Sequence, residues 1–533
     1  MVCPCNIARL MDSENTHYSR LLHLRLSRVC VAIAAANPAE MLEKAEAIAR
    51  DNPFIELRLD YIPRPSLALP KIREFTETHP HVTVIATCRR AASGGKFNGP
   101  INSQIEILGK AAEAGCQLVD VELQTAIRLK TSQSAKLRAK AAVVLSFHDF
   151  RATQKLEETL KKMLGFPADF YKIVSTATSL YDNVIMMKFL EKHQDAQSLV
   201  GLCMGEQGII SRVLGVRAGS AFTFAALTAD EKTAPGQVTA QELRSIYRID
   251  QVDAATKVYA VAGDPISHSL SPAIMNAALR SENVNGVFLA LNAKSLKDLL
   301  ECVREIPIQG LGVTMPHKES ILKFLDNTDP QTSKIGACNT VVRSQDGKLY
   351  GFNTDTSGVV RPLEQRIPLQ GARILVLGAG GAARAAVFAL KARGAEIFIL
   401  NRNVAAAQKL ARQAKARTMK RQDLKKLDFD VIINATPVGM GNTRESPLNP
   451  EEIRAKIVFD MVYDPAETRL LKLAKERGAE VISGSVMFVH QAARQFEIWT
   501  GKPAPREDML RIVTVALAER AAARNGVKEK RAV

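Results

Sequence analysis

The sequence predicts an α/β chain, an N-terminal (β/α)8 TIM barrel followed by a two-lobed α/β unit. Between residues 29 and 227, short apolar runs alternate eight times with stretches of helical apolar spacing, the pattern of a barrel. The alternation lapses around IYRIDQVDAAT (246–256) and restarts at KVYAVAGDPISHS. Further on, ARILVLGAGGAARAAVFALKARGAEIFILNR reads as strand, glycine turn, helix and strand, a βαβ unit. A chain of 533 residues is also too long for a single core.

These breaks divide the chain into a tail (1–28), the barrel (29–245), a linker (246–256) and a first α/β lobe (257–360). A Rossmann lobe (361–485), helices returning to the first lobe (486–520) and a frayed basic tail (521–533) complete it. The arginines before VCVAIAAA resemble a short signal peptide, but that run is needed as the first barrel strand. The remaining strands are FIELRLD, TVIATCR, LVDVELQ, AAVVLSFHD, FYKIVSTA, SLVGLCMG and AFTFAAL.

Side chains alternate along a strand, so Glu56, Arg58 and Asp60 share one face and Ile55, Leu57 and Leu59 the other. Apolar residues facing helices and charges facing inward suit a barrel with a polar mouth. The same alternation turns Asp120 and Glu122 inward; either is a candidate to orient His148, which closes the fifth run. Lys172 lies in the sixth run, and Arg212 follows the seventh. A buried ammonium is costly unless it does something. Desolvated among cations, it is expected as a free amine able to attack a ketone, forming an imine that acidifies the neighbouring C–H. A nearby histidine moves that proton and arginines grip a carboxylate, which together suggest elimination or aldol chemistry on a carboxylated ketone.

The net charge of +17 suits small anionic substrates. Nucleic-acid binding has no motif behind it, and one Trp with 5% aromatics offers little for base stacking. No apolar stretch reaches membrane-spanning length. Eight scattered cysteines without CxxC pairs argue against disulfides and zinc and for a reducing, cytoplasmic setting. No metal site is expected.

In GAGGAA (378–383), Gly378 permits the turn, Gly380 lets backbone approach a pyrophosphate and Ala383 allows close helix packing. The second strand ends in Asn401–Arg402, where NAD-binding folds usually place an acid, so a 2′-phosphate and hence NADP is expected. The run 402–426, with nine basic residues against one acidic, starts at that point. Upstream, GVTMPHK ends in Lys318 and GFNTD in Asp355, a candidate proton-transfer dyad for a ketone and alcohol beside a nicotinamide. SHSLSP offers Ser269 and Ser271 as carboxylate donors.

The set ELRLD, TCR with GG following, SFHDF, YKIV, GxxSR and APGQ resembles type I 3-dehydroquinate dehydratase over residues 29–245. The resemblance implies a Schiff-base lysine at Lys172, a general acid/base at His148 and substrate contacts from Glu56, Arg58, Arg89 and Arg212. Thr233 and Gln237 fall on a closing loop, with Phe224 nearby. Two positions depart: Ser93 stands where the family usually has glutamate, and Thr233 where serine is common.

From 257 to 501, GDPISHSLSP, GVTMPHK, GACNT, GFNTD, GAGGAAR, NATPVGM, DMVYDP and VHQAARQFEIWTG resemble shikimate dehydrogenase in family order. This implies a shikimate-dehydrogenase-like unit with Lys318 and Asp355 as catalytic residues. Ser269, Ser271, Thr314, Asn339, Tyr463 and Gln491 are implied as substrate contacts. Gly378, Ala379, Gly380, Gly381, Ala382, Arg384, Asn401, Arg402, Thr436 and Met440 are implied around NADP. Asn403 and Ala406 replace the threonine and basic residue often found there. The two reactions are consecutive: 3-dehydroquinate loses water to give 3-dehydroshikimate, which is reduced to shikimate. The alternatives are a quinate/shikimate dehydrogenase with an impaired barrel, or a basic binding protein on this scaffold. Oligomeric state is not legible.

Overall fold

The computed structural model describes residues 26–195, 198–441 and 444–531. The expected N-terminal tail therefore lies largely outside the described residues. The chain divides into two compact units. The first ends at Thr256 and also takes in Leu291–Ile306; the second comprises Lys257–Ala290 and the chain from Pro307 onward. The piece Leu291–Ile306 lies inside the 257–360 stretch of the sequence division. Within the first unit its helix, Leu296–Glu305, is anchored by Asp298, which accepts from the Leu180 and Tyr181 backbone N–H groups.

The first unit contains eight strands: β1 (Val29–Ile33), β2 (Phe54–Arg58), β3 (Thr83–Thr87), β4 (Leu118–Glu122), β5 (Ala142–His148), β6 (Phe170–Thr176), β7 (Leu199–Met204) and β8 (Thr223–Ala226). Their order, β7-β6-β5-β4-β3-β2-β1-β8, is that of a barrel, with parallel ladders from β8 through β1 to β7. Between β7 and β8 the barrel is only nearly closed, joined where Ala221 N–H donates to Leu199 O.

The inward faces are layered. Phe54, Ile85, Leu118, Val144 and Phe170 share one apolar cluster with Phe222 and Phe224. Two residues further along the same strands stand Glu56, Thr87, Asp120, Ser146 and Lys172, all buried. An apolar floor below a polar layer confines charge to the C-terminal strand ends. The 246–256 segment folds back on the barrel through Arg28, whose Nη1 donates to the carbonyls of Ile249 and Val252.

In the second unit, one sheet comprises β9 (Lys257–Gly263), β10 (Gly286–Asn292), β11 (Ile308–Val313), β12 (Asn327–Thr328), β13 (Thr340–Arg343) and β14 (Leu349–Phe352), in the order β10-β9-β11-β13-β14-β12. The β9–β11 pair is parallel, whereas β11–β13 and β13–β14 are antiparallel. The second sheet comprises β15 (Arg373–Leu377), β16 (Glu396–Leu400), β17 (Arg417–Thr418), β18 (Phe429–Asn434), β19 (Ala455–Asp460) and β20 (Glu480–Ile482). It is wholly parallel in the order β17-β16-β15-β18-β19-β20, the doubly wound dinucleotide-fold arrangement. Helix Gly484–Thr500 returns to the first sheet, where Trp499 Nε1 donates to Val341 O.

The basic C-terminus differs from expectation. One helix runs from Arg506 to Arg531, rather than ending near residue 520. The sequence there is mostly Ala, Arg, Lys and Glu, good helix formers. Arg524 also adds a tertiary anchor, a salt bridge to Asp464.

Candidate active sites

In the barrel, Lys172 Nζ lies 3.2 Å from Asp120 Oδ2 and 3.9 Å from Glu56 Oε1, and 3.6 Å above the Phe224 ring centroid. The expectation of a lysine set chiefly among cations is corrected: its nearest charges are carboxylates. Asp120 and Glu56 project from β4 and β2 into the same layer, which the strand pattern alone did not bring together.

Asp120 is the hub. Its Oδ2 also accepts from Arg89 Nη2 at 2.9 Å, and its Oδ1 from Ser146 Oγ at 2.6 Å. Burial favours its neutral acid, but Arg89, then Lys172 and His148, outweigh that and hold it well below the usual carboxylate range. Arg89 Nη1 lies 3.0 Å from His148 Nε2. A guanidinium only donates, so Nε2 accepts and the neutral ring carries its proton on Nδ1. Burial, then Arg89 and Lys172, push the His148 pKa well below its ordinary value. The imidazole is therefore a free base at neutral pH.

Asp120 thus meets the histidine through Arg89. Glu122 serves elsewhere, accepting from Arg90 N–H and Gln104 Nε2 to hold the chain after β3. Glu56 accepts from Thr87 Oγ1, while Arg58 makes a two-pronged bridge to Asp60. Arg212 is fully buried; among the described residues it has no carboxylate partner and its Nε has no partner, Nη2 donates to Pro235 O, and burial lowers its pKa to about 10. Such a group is primed for an anion. Pro235 belongs to the loop where Gln237 accepts from both N–H and Oγ1 of Thr233. Ser93 is buried in the turn after Arg89, and its hydroxyl has no partner among the described residues.

In the second unit, Lys318 Nζ donates to Asp355 Oδ2 at 2.5 Å. Asp355 opens helix Asp355–Glu364, and its Oδ1 accepts from Asn339 Nδ2 at 2.7 Å. The Asn339 amide also reaches Gln491 Oε1 at 3.5 Å. Lys318, Asp355, Asn339 and Gln491 therefore converge. Thr314 is tied through its N–H to Ala262 O, and Ser271 N–H donates to Ser269 Oγ. Tyr463 stacks on Phe488, ring centroids 4.8 Å apart.

The glycine turn between β15 and helix Gly381–Lys391 fits a dinucleotide. Gly378 has φ +117°, which favours glycine, and a Cβ there would sit 3.0 Å from Ala435 O. A Cβ on exposed Gly380 would meet no protein atom within 4 Å, leaving room for a phosphate group against the helix N-terminus. Ala379 and Ala382 flank that opening, and Gly381 lies against the Lys318 side chain. Thr436 is held by Asn434, Met440 is 54% exposed, and Asn401 donates to Asn403 O. Arg402 is exposed and has no side-chain partner among the described residues. Arg384, in the first turn of the helix after the glycine loop, has two partners of its own. It donates from Nε to Ile335 O and from Nη1 to Gln413 Oε1, bracing the two lobes. Its direction is set by carbonyls on the facing lobe, which strand-and-turn reading does not supply.

Comparison with known proteins agrees with both halves. Residues 29–254 match the type I 3-dehydroquinase family, 261–341 the shikimate dehydrogenase substrate-binding domain, 363–446 the shikimate/quinate 5-dehydrogenase family and 484–514 the shikimate 5′-dehydrogenase C-terminal domain. The chain is 34% identical over 507 residues to the chloroplastic bifunctional 3-dehydroquinate dehydratase/shikimate dehydrogenase of Arabidopsis thaliana, covering 90% of this chain and 83% of that one. It is 42% identical over 265 residues to the NADP(+) shikimate dehydrogenase of Nitrosopumilus maritimus, covering 48% of this chain and 96% of that one. A Thermus thermophilus shikimate 5-dehydrogenase structure with NADP(H) and shikimate is 37% identical, TM-score 0.47, covering 49% of this chain and 100% of that one. With both halves matched in one continuous alignment, the chain belongs to the bifunctional 3-dehydroquinate dehydratase/shikimate dehydrogenase family.

Proposed function

We propose that the barrel dehydrates 3-dehydroquinate through an imine on Lys172 and that the second unit reduces the product, 3-dehydroshikimate, to shikimate with NADPH. The observation that carries this reading is the pairing of a buried lysine with a neutral histidine in one half and a lysine–aspartate dyad in the other.

In the barrel, the Lys172 amine adds to the ketone carbon, and the carbonyl oxygen leaves as water. The iminium draws electrons from the adjacent C–H bond. His148, held by Arg89, takes that proton and returns it to the departing hydroxyl, so a second water leaves. Hydrolysis of the iminium consumes one water and restores both lysine and ketone; the net loss is one water. Arg212, which meets no carboxylate among the described residues, receives the substrate carboxylate, and Glu56, Arg58, Arg89, Thr233 and Gln237 line the remainder.

In the second unit, Gly378, Ala379, Gly380, Gly381 and Ala382 would cradle the NADP pyrophosphate. Asn401 and Arg402 would meet the adenosine 2′-phosphate, with Thr436 and Met440 alongside. Bound NADPH supplies hydride to the substrate ketone. Lys318 Nζ, oriented by Asp355, donates the proton to the forming alkoxide, and Asn339 keeps the aspartate in place. Ser269 and Ser271 bind the carboxylate, while Thr314, Tyr463 and Gln491 hold the ring hydroxyls.

The six described cysteines are buried free thiols, and no described helix is long and apolar enough to cross a membrane. The thiols support a reducing compartment, and we assign the cytoplasm.

The test supplies 3-dehydroquinate and NADPH to the full chain, following NADPH loss and both carbon products. Lys172→Ala should abolish dehydration yet reduce added 3-dehydroshikimate. Lys318→Ala should accumulate 3-dehydroshikimate. Shikimate formed by Lys172→Ala from 3-dehydroquinate would refute the assignment.

A further inference from the structure

A cavity of about 440 Å³ is lined by Arg361, Glu364, Gln365, His490 and Arg506. Its polar groups are incompletely partnered. Arg361 has no hydrogen-bond partner for its guanidinium among the described residues. His490 Nδ1 and Arg506 Nε are buried atoms with no partner among the described residues. The nearby acids are already engaged: Glu364 accepts from Arg393, and Glu497 accepts from both Arg494 and Arg506. Two arginines sharing one glutamate leave one positive charge in excess, to which Arg361 adds another.

We propose that this cavity is a binding site for a phosphate-class oxyanion, free or as the ester of a small metabolite. Guanidinium groups suit tetrahedral oxyanions by geometry and charge. A site of this size holds more than a bare phosphate, leaving space for an attached carbon skeleton. Glu364 is the one carboxylate in the lining, and its pairing with Arg393 limits its repulsion of a bound anion.

The site's place gives it a consequence. Arg361 lies on helix Asp355–Glu364 and His490 on helix Gly484–Thr500, the helices that begin at Asp355 and carry Gln491. They cross tightly at Gly358, where a Cβ would stand 2.9 Å from Met487 O and 3.3 Å from the Gln491 Cβ. An anion joining Arg361 to His490 and Arg506 fastens this crossing. Occupancy therefore changes the dehydrogenase's affinity for its hydroxy-acid substrate and leaves the barrel reaction untouched.

The test titrates inorganic phosphate, and separately glycerol 3-phosphate, into the full chain saturated with NADP. Calorimetric binding and shikimate KM are read for the parent, Arg361→Gln and Arg506→Gln. A parent that binds either probe, with binding weakened tenfold or more in both variants, supports the site. Tighter binding of the ester identifies a metabolite, and equal binding identifies free phosphate. No binding by the parent, or undiminished binding by folded variants, overturns the proposal. Dehydratase turnover in every sample verifies folding of the barrel, and the circular dichroism melt verifies the second unit. Loss of 3-dehydroshikimate reduction without any phosphate effect would count against the dyad assignment, not this site.

Discussion

Replacing Asp120 with asparagine keeps the side chain's shape and removes the charge on which the barrel site converges. In the parent, Arg89 and Lys172 approach the same carboxylate oxygen at 2.9 and 3.2 Å. With an effective dielectric of 20, one such contact corresponds to about 5 kcal/mol of Coulomb attraction, before desolvation is subtracted. After Asp120→Asn the nearest remaining acid to Lys172 is Glu56, at 3.9 Å. Breaking a buried pair in this way costs about 3–5 kcal/mol, because the cations stay buried without compensation. For a domain of barrel size each kcal/mol shifts Tm by roughly 2–4 °C, so the barrel transition should fall by about 6–20 °C. Differential scanning calorimetry of the full chain at neutral pH measures this directly. The pH dependence follows from the depressed folded pKa of Asp120. Its stabilisation is present above the unfolded pKa of about 4 and disappears as pH falls through the lower folded value. The parent–mutant gap should therefore be full between about pH 5 and 8 and narrow in acid. A barrel Tm lowered by less than about 2 °C at neutral pH would refute this account of Asp120.

Other expectations follow from individual contacts. Gly380→Val adds a side chain where the protein itself leaves space, so stability should move by no more than about 0.5 kcal/mol. NADPH KM should nonetheless rise tenfold or more in steady-state assays. Gly378→Ala, at φ +117°, should instead lower the Tm of the second unit in a thermal melt. Arg520 donates to His268 O at 3.0 Å, and Arg520 and Arg524 both bridge Asp464, beside Ser269 and Tyr463 respectively. The double variant Arg520→Ala/Arg524→Ala should raise shikimate KM several-fold with NADPH KM unchanged, as initial rates will show. Lys318→Met should reduce dehydrogenase kcat by 10²-fold or more while dehydratase kcat persists.

Much of this was legible along the chain because it depends on local chemistry. The inward alternation of Glu56–Arg58 and Asp120–Glu122 is a property of strands, and the turn at Gly378 is a property of backbone sterics. What escaped was partner choice. Asp120 and Glu122 look equivalent on one strand, yet one anchors Arg89 and Lys172 and the other Arg90 and Gln104. Arg384 sits in the first turn of the glycine-loop helix, but Ile335 O and Gln413 on other elements decide where its guanidinium goes. The helix beyond residue 520 reads as a basic tail along the sequence, because composition shows charge and does not show the Arg524–Asp464 bridge.

The sequence by itself determined the barrel-plus-dinucleotide-fold architecture, the strand carrying each reactive side chain and the two families of chemistry. Periodicity and turn residues act over a few positions, and the motifs preserve that spacing. Only the tertiary structure decided that Lys172 rests on carboxylates, that Arg89 stands between Asp120 and His148, and that Asn339 and Gln491 meet beside Asp355. Those contacts join residues up to 152 positions apart, and their electrostatics depend on distance and burial, which exist only once the chain has closed around them.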